Sequence, residues 1–132
     1  LGFNTKKPPF DDARVRKAFA LAIDRDYFPK LLQSGQRPES SFLTPNLKGY
    51  NPKLGLQYDP TEARRLLAEA GYPGGKGFPR VELAFRTQFA QRREAEILQA
   101  LWKRNLGVDV RLLNMDWKVF LERLHRDAPH MY

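Results

Sequence analysis

The sequence predicts an α/β fold, and three observations predict it. Val81, Leu83 and Phe85 alternate with Glu82, Ala84 and Arg86; Ala90, Glu94, Ile97, Leu98, Leu101 and Trp102 then recur near every 3.6 residues; Val108, Val110 and Leu112 resume the alternation. Period two marks a half-buried strand and period 3.6 a helix with one buried face. Two strands separated by a helix are too far apart in sequence for a hairpin, so they are expected to lie parallel, joined by a right-handed crossover. Open sheets of this kind bind ligands beyond the carboxyl ends of their strands. The ligand-facing residues are therefore expected at Arg86-Thr87-Gln88 after the first strand and Asn114-Met115-Asp116 after the second.

The remaining elements follow in chain order. Leu1 to Thr5 reads as a short strand that Lys6-Lys7-Pro8-Pro9 ends, because proline carries no ladder donor. Asp11-Asp12 offers an N-cap to a helix whose apolar stripe is Val15, Ala18, Phe19, Ala22 and Ile23, with Arg14, Arg16 and Lys17 off the stripe and solvated. Asp24 starts a shorter helix through Tyr27, Phe28, Leu31 and Leu32, with Pro29 shifting or kinking its first turns and Gly35 beyond its end. From Ser34 to Asp59 periodicity fails. The scattered Phe42, Leu43, Leu47, Tyr50, Leu54, Leu56 and Tyr58 suggest an extended segment wrapping a surface, with the part from Phe42 to Tyr50 bordering the ligand site.

Asp59-Pro60-Thr61-Glu62 then reads as a capping box with proline at the first helical position, opening a helix buried through Ala63, Leu66, Leu67 and Ala70 and closed by Gly71. Gly74-Gly75-Lys76-Gly77 is a flexible turn and not a phosphate loop: a strand follows it, where a phosphate loop leads into a helix. Asn105-Leu106-Gly107 stops the central helix. Asn114 or Asp116 caps a last helix with Trp117, Phe120, Leu121, Leu124 and His125 at core spacing.

The 132 residues suit one domain, residues 1–132, with a real core. With no cysteine there are neither disulfides nor thiolate metal sites. No apolar run reaches the length of a membrane span. The chain opens on Leu1 and closes on Tyr132 directly after a helical segment, and reads as a piece of a longer polypeptide whose targeting signal would lie elsewhere. The net charge of +8 raises nucleic acid as a partner, and a basic α/β nucleic-acid-binding module is the alternative reading. Glu94, Glu96 and Glu122 are nevertheless interleaved with the helical arginines, a pattern of solvated faces.

Signals for catalysis are thin. His125 and His130 stand five apart across Pro129 and do not share a helix face as metal ligands. His125 reads as a helix-edge residue. Ser34, Ser40 and Ser41 have no partner base nearby and no nucleophile-elbow pattern. Trp102 and Trp117 both fall on helix core stripes. No catalytic residue, metal or cofactor is expected.

Several stretches resemble one family. Phe3-Asn4-Thr5 followed by Pro9-Phe10-Asp11-Asp12-Ala13-Arg14-Val15-Arg16-Lys17-Ala18 and Ala22-Ile23-Asp24, then Tyr58-Asp59-Pro60 with Glu69-Ala70-Gly71-Tyr72-Pro73, then Leu106-Gly107-Val108 and Asp116-Trp117, are similar in type and order to the motifs of family 5 extracytoplasmic solute-binding proteins, the peptide and nickel class serving ABC importers. The resemblance implies a partial periplasmic-binding-protein-like lobe with a small mixed sheet flanked by helices. It further implies part of the second, C-terminal lobe of a two-lobed receptor. That receptor captures a peptide or related small solute outside the cytoplasmic membrane and hands it to the permease, without catalysis and without nucleic acid.

Members continue past the equivalent of Met131-Tyr132 into a strand bearing a Trp and an Asp that often grips the ligand's amino group, and that anchor cannot be carried over to any residue here. The strand-end residues Arg86, Thr87, Gln88 and Asp116 are the candidate ligand contacts. Arg86 leads because a guanidinium can pair with a carboxylate through two bonds and because some dipeptide-binding relatives place an arginine in this loop.

Overall fold

The computed structural model describes residues 1–32, 46–51 and 54–132, with the backbone alone at Phe89. Helix α1 spans Ala13–Leu21, and Asp12 caps it: its Oδ1 accepts the Arg14 backbone N–H at 2.8 Å. Val15, Ala18 and Phe19 are buried on the expected stripe. Arg16 is not simply solvated: its guanidinium folds back to donate to the Phe10 and Asp11 carbonyls at 2.8 and 3.0 Å. Helix α2 runs Tyr27–Leu32. It begins late enough that Pro29 sits in the first turn, where a missing N–H costs no intrahelical bond. The expected stop at Gly35, the three loop serines and the aromatic start of the long loop lie outside the described residues. Beyond them the wrapping expected of Leu54 and Leu47 does not occur, since they are 77% and 54% exposed.

Helix α3, Pro60–Glu69, starts as the capping signal dictates: Asp59 accepts the N–H groups of Thr61 and Glu62 at 3.1 and 2.9 Å. The reciprocal half of the box does not form. The Asp59 N–H donates instead to the Leu21 carbonyl at 3.0 Å, tying the start of α3 to the end of α1, and this frees Glu62 to pair with Arg65 at 2.6 Å. The glycine-rich turn is a built junction, a 3₁₀ turn over Pro73–Gly75 pressed against the end of the next helix. Helix α4, Phe89–Leu106, ends on left-handed Gly107 at φ 73°. A Cβ on Gly107 would stand 2.4 Å from the Gly74 carbonyl oxygen, and one on Gly75 2.6 Å from that of Gly107. Only glycine fits at these two positions, both for the backbone contact and for the positive φ.

Strands β1, Val81–Arg86, and β2, Val110–Met115, pair in parallel from Val81 opposite Val110 to Arg86 opposite Met115. Val108, read as the first residue of the second strand, is instead buried in the connection before it. On the far side of β1, Met131 bridges to Leu83 in parallel and to Phe3 in antiparallel, and Gly2 and Tyr132 exchange backbone hydrogen bonds. The sheet, extended by these bridges, is therefore mixed; the first residues join it through a single bridge at Phe3 and do not form the strand expected over Leu1 to Thr5.

Helices α1, α3 and α4 build the core on one side, where Phe10, Phe19, Leu67, Trp102 and Leu106 are all but completely buried. Phe19 is the hub. It meets Phe10 edge-on at 5.0 Å and Trp102 at 5.1 Å, and stacks on Phe78 at 5.5 Å; each such aromatic pair adds about 0.5–1.5 kcal/mol beyond its buried area. Trp102 also donates its indole N–H to the Phe19 carbonyl at 3.0 Å.

Helix α5, Trp117–Arg126, departs from expectation. Its apolar residues have core spacing, yet none of the helix is buried, Trp117 is 48% exposed and His125 lies in solvent. The reason is coverage: α5 packs chiefly against β1, and that contact leaves every residue of the helix at least partly exposed.

Candidate ligand-binding site

Parallel pairing brings Arg86 and Met115 level, so the two strands finish together and their loops share one end of the sheet. Thr87 knits the loops: its N–H and hydroxyl donate to the Met115 carbonyl at 2.9 and 3.1 Å, and the hydroxyl lies 2.8 Å from Asn114 Oδ1. The Gln91 side chain accepts the Arg86 N–H at 3.2 Å, fixing the turn into α4. Gln88 is the residue that starts α4, but its side chain makes no capping bond and is exposed. Asp116 caps α5, its Oδ1 accepting the Lys118 N–H at 2.9 Å. Thr87 and Asp116 thus hold the site's shape, which leaves Arg86 and Gln88 with side chains available to a ligand.

Arg86 is half-buried, and its guanidinium lies over the Trp117 ring, 4.9 Å from the centroid. Trp117 in turn stacks against Phe120 at 6.0 Å. A guanidinium spread over an aromatic face keeps its edge donors free while its flat surface is shielded. Beside this platform a cavity of about 210 Å³ is walled by Phe85, Leu98, Phe120 and Tyr132, with Arg86 and Glu94 as its charged groups. Among the described residues neither Arg86 nor Glu94 belongs to an ion pair. The arrangement presents one cation and one anion in an apolar hollow, which suits a small zwitterion or peptide segment.

The strand-end argument therefore places all four predicted residues at one end of the sheet. It missed Trp117, assigned to the core, and Glu94, read only as part of the helical pattern. A signal for Trp117 was present: it follows immediately on the cap at a strand end, where the first turn of a helix faces the ligand side. Nothing in the spacing distinguished Glu94 from the solvated glutamates around it. Among the described residues no three His, Asp or Glu side chains converge as they would around a metal ion, and no helix is long and apolar enough to cross a membrane.

The model of the bacterial extracellular solute-binding proteins, family 5 (middle region), matches residues 1–132 from end to end. The chain belongs to this family. Among family 5 relatives, the periplasmic oligopeptide-binding protein OppA of Escherichia coli is 37% identical over 130 residues, which make up 93% of this chain and 24% of that protein. The crystal structure of a periplasmic oligopeptide-binding protein, OppAIV, of Borrelia burgdorferi superposes with a TM-score of 0.85 at 32% identity, over 97% of this chain and 26% of the other. The structure of a dipeptide-binding protein of a Pseudoalteromonas species in complex with Met-Leu gives a TM-score of 0.80 at 32% identity, with 97% and 26% covered. The chain thus spans about a quarter of the length of the family 5 proteins it matches.

Proposed function

We propose that this chain forms part of the second lobe of the substrate-binding component of an ABC importer, capturing peptides outside the cytoplasmic membrane for delivery to the permease. The observation that carries the peptide reading is two opposite charges in one apolar cavity that form no ion pair among the described residues: Arg86, braced on Trp117, and Glu94. A peptide offers a carboxylate to the first, an amino group to the second and apolar surface to Phe85, Leu98 and Phe120. Family membership, and relatives that are oligopeptide- and dipeptide-binding proteins, support the same substrate class. Capture needs no bond to be made or broken, in keeping with relatives named as binding proteins.

The basic charge gives no comparable support to nucleic acid. The helical cations are answered locally, Arg65 by Glu62, Arg92 by Glu96, Arg126 by Glu122 and Lys103 by Asp109.

The test is a thermal-shift screen of a polypeptide of the relatives' length carrying this segment, against pooled short peptides, nickel chelates and oligosaccharides. A ligand that binds only the folded state stabilises it by about 2.7 kcal/mol at a hundredfold excess over Kd. A shift with a peptide pool that is lost in Arg86→Gln supports the reading. A shift confined to oligonucleotides, falling steeply with added salt, overturns it.

A further inference from the structure

At the opposite end of the sheet, below the amino ends of β1 and β2, a second cavity of about 670 Å³ has Lys7, Arg80, Glu82, Arg111, Arg123 and His130 in its lining. The fold assembles it from six places in the chain: the first loop, the two strands, α4 through Gln99, α5 and the segment after α5. Glu82 and Arg111 are register partners across the parallel pair, and Arg123 reaches Glu82 from α5. Both arginines stand off, with nitrogen to oxygen separations of 3.5 and 3.6 Å, too long for good hydrogen bonds. Two arginines therefore share one glutamate, and Arg80 adds a third guanidinium to the lining. Lys7 is already paired with Asp127, and Asp109, also in the lining, with Lys103.

Two buried polar atoms of this lining, Arg123 Nε and His130 Nδ1, have no hydrogen-bond partner among the described residues. A buried donor left unmatched costs about 1–3 kcal/mol, more when the group is charged. Native structures carry few such atoms, and each calls for an explanation. Here two of them line one cavity that has an excess of positive charge.

We propose that this cavity is a second binding site, distinct from the peptide cavity, that takes a small oxyanion of the phosphate class, held by Arg80, Arg111 and Arg123 with His130 beside it. Arg123 Nε–H, closed off from solvent in this structure, gains the acceptor it lacks from a phosphate oxygen when the side chain turns toward the cavity, and that turn breaks no tight bond, because neither Arg111 nor Arg123 is tightly committed to Glu82. The imidazole, which burial and the charge of Lys7 keep below its usual pKa, is neutral near neutral pH. It meets the anion as a hydrogen-bonding group and not as a competing charge. The volume leaves room for the remainder of a small phosphorylated molecule.

The experiment is a calorimetric titration of inorganic phosphate into a polypeptide of the relatives' length carrying this segment, near neutral pH, with ionic strength held constant by exchange against sodium chloride. One saturable site per chain is expected. Arg123→Lys, which keeps the charge and removes the Nε donor, is expected to weaken binding at least tenfold, as is Arg111→Gln at an exposed position that the fold does not need. Arg92→Gln, equally cationic and remote, is expected to leave the affinity within twofold. Should Arg123→Lys fail to fold, the Arg111→Gln result and a phosphate-dependent shift of the His130 ring resonances decide the matter. Absence of a saturable site, or an equal loss in Arg92→Gln, overturns the proposal, and so does a His130 ring that phosphate leaves unmoved.

Discussion

The two tryptophans, alike in spacing, differ in what surrounds them. Trp102 is completely buried and bonded to Phe19; Trp102→Ala is expected to cost about 3–5 kcal/mol in denaturant unfolding, as large aromatic deletions in a core do. Trp117→Ala, at a half-exposed position, is expected to change stability by no more than about 0.5 kcal/mol and to be felt in peptide affinity instead. Both looked alike in sequence, because periodicity reports which face of a helix is apolar and not whether anything covers that face. Asn105 is a second example. It is buried and donates to the Ala22 carbonyl at 2.8 Å, 83 positions away. Its sequence context shows only a helix ending.

Protonation is also a residue-scale matter, with two windows of opposite origin. The His130 pKa is lowered in the folded chain, so the unfolded chain takes up a proton first. Stability is whole above the ordinary histidine value of about 6.5 and declines as pH falls from there to the folded value. Hydrogen bonds from Arg14, Arg65 and Lys7 hold the Asp12, Glu62 and Asp127 carboxyls below their usual values, so their contribution is present above about pH 4 and is lost as pH falls further. Melting curves at stepped pH are expected to show both declines, and His130→Gln to abolish only the upper one.

Among the elements, α3 and the strand pair were the most legible. Asp59-Pro60 fixes where α3 begins whatever surrounds it, and Asp59→Ala is expected to cost about 0.5–2 kcal/mol in thermal or denaturant melts. The parallel pairing followed from a helix-length separation and came out as expected, whereas the register, Val81 opposite Val110, did not follow from the spacing. The failed half of the capping box was not legible. It depends on the Leu21 carbonyl being near, a tertiary fact that no local pattern carries. Helix α5 was read correctly as a helix and wrongly as a core helix for the same reason.

For the whole molecule, the sheet gives the two ends different electrostatic characters. One end carries a balanced pair of charges in an apolar hollow and the other an excess of arginine. If peptide capture uses the first, Arg86→Gln and Glu94→Gln are each expected to weaken peptide binding about tenfold or more, since a hydrogen bond to a charged group is worth about 1.5–3 kcal/mol. Calorimetry with short peptides having free or blocked ends would check this. Blocking the peptide's carboxylate is expected to erase the Arg86 effect alone, and blocking its amino group the Glu94 effect alone.

The contact between Gly75 and Gly107 has a bearing on how this protein can change over generations. Gly75 leaves the space that the Gly107 carbonyl occupies, and Gly107 the space that the Gly74 carbonyl occupies, so the first loss at either site forces the two turns apart, and a second loss finds them already separated. The pair is expected to be inherited as a unit, and damage to both to cost less than the sum of the separate injuries. Because these turns stand where β1 and β2 begin, any lineage that abandons the pair must also find another way to keep its strands in step.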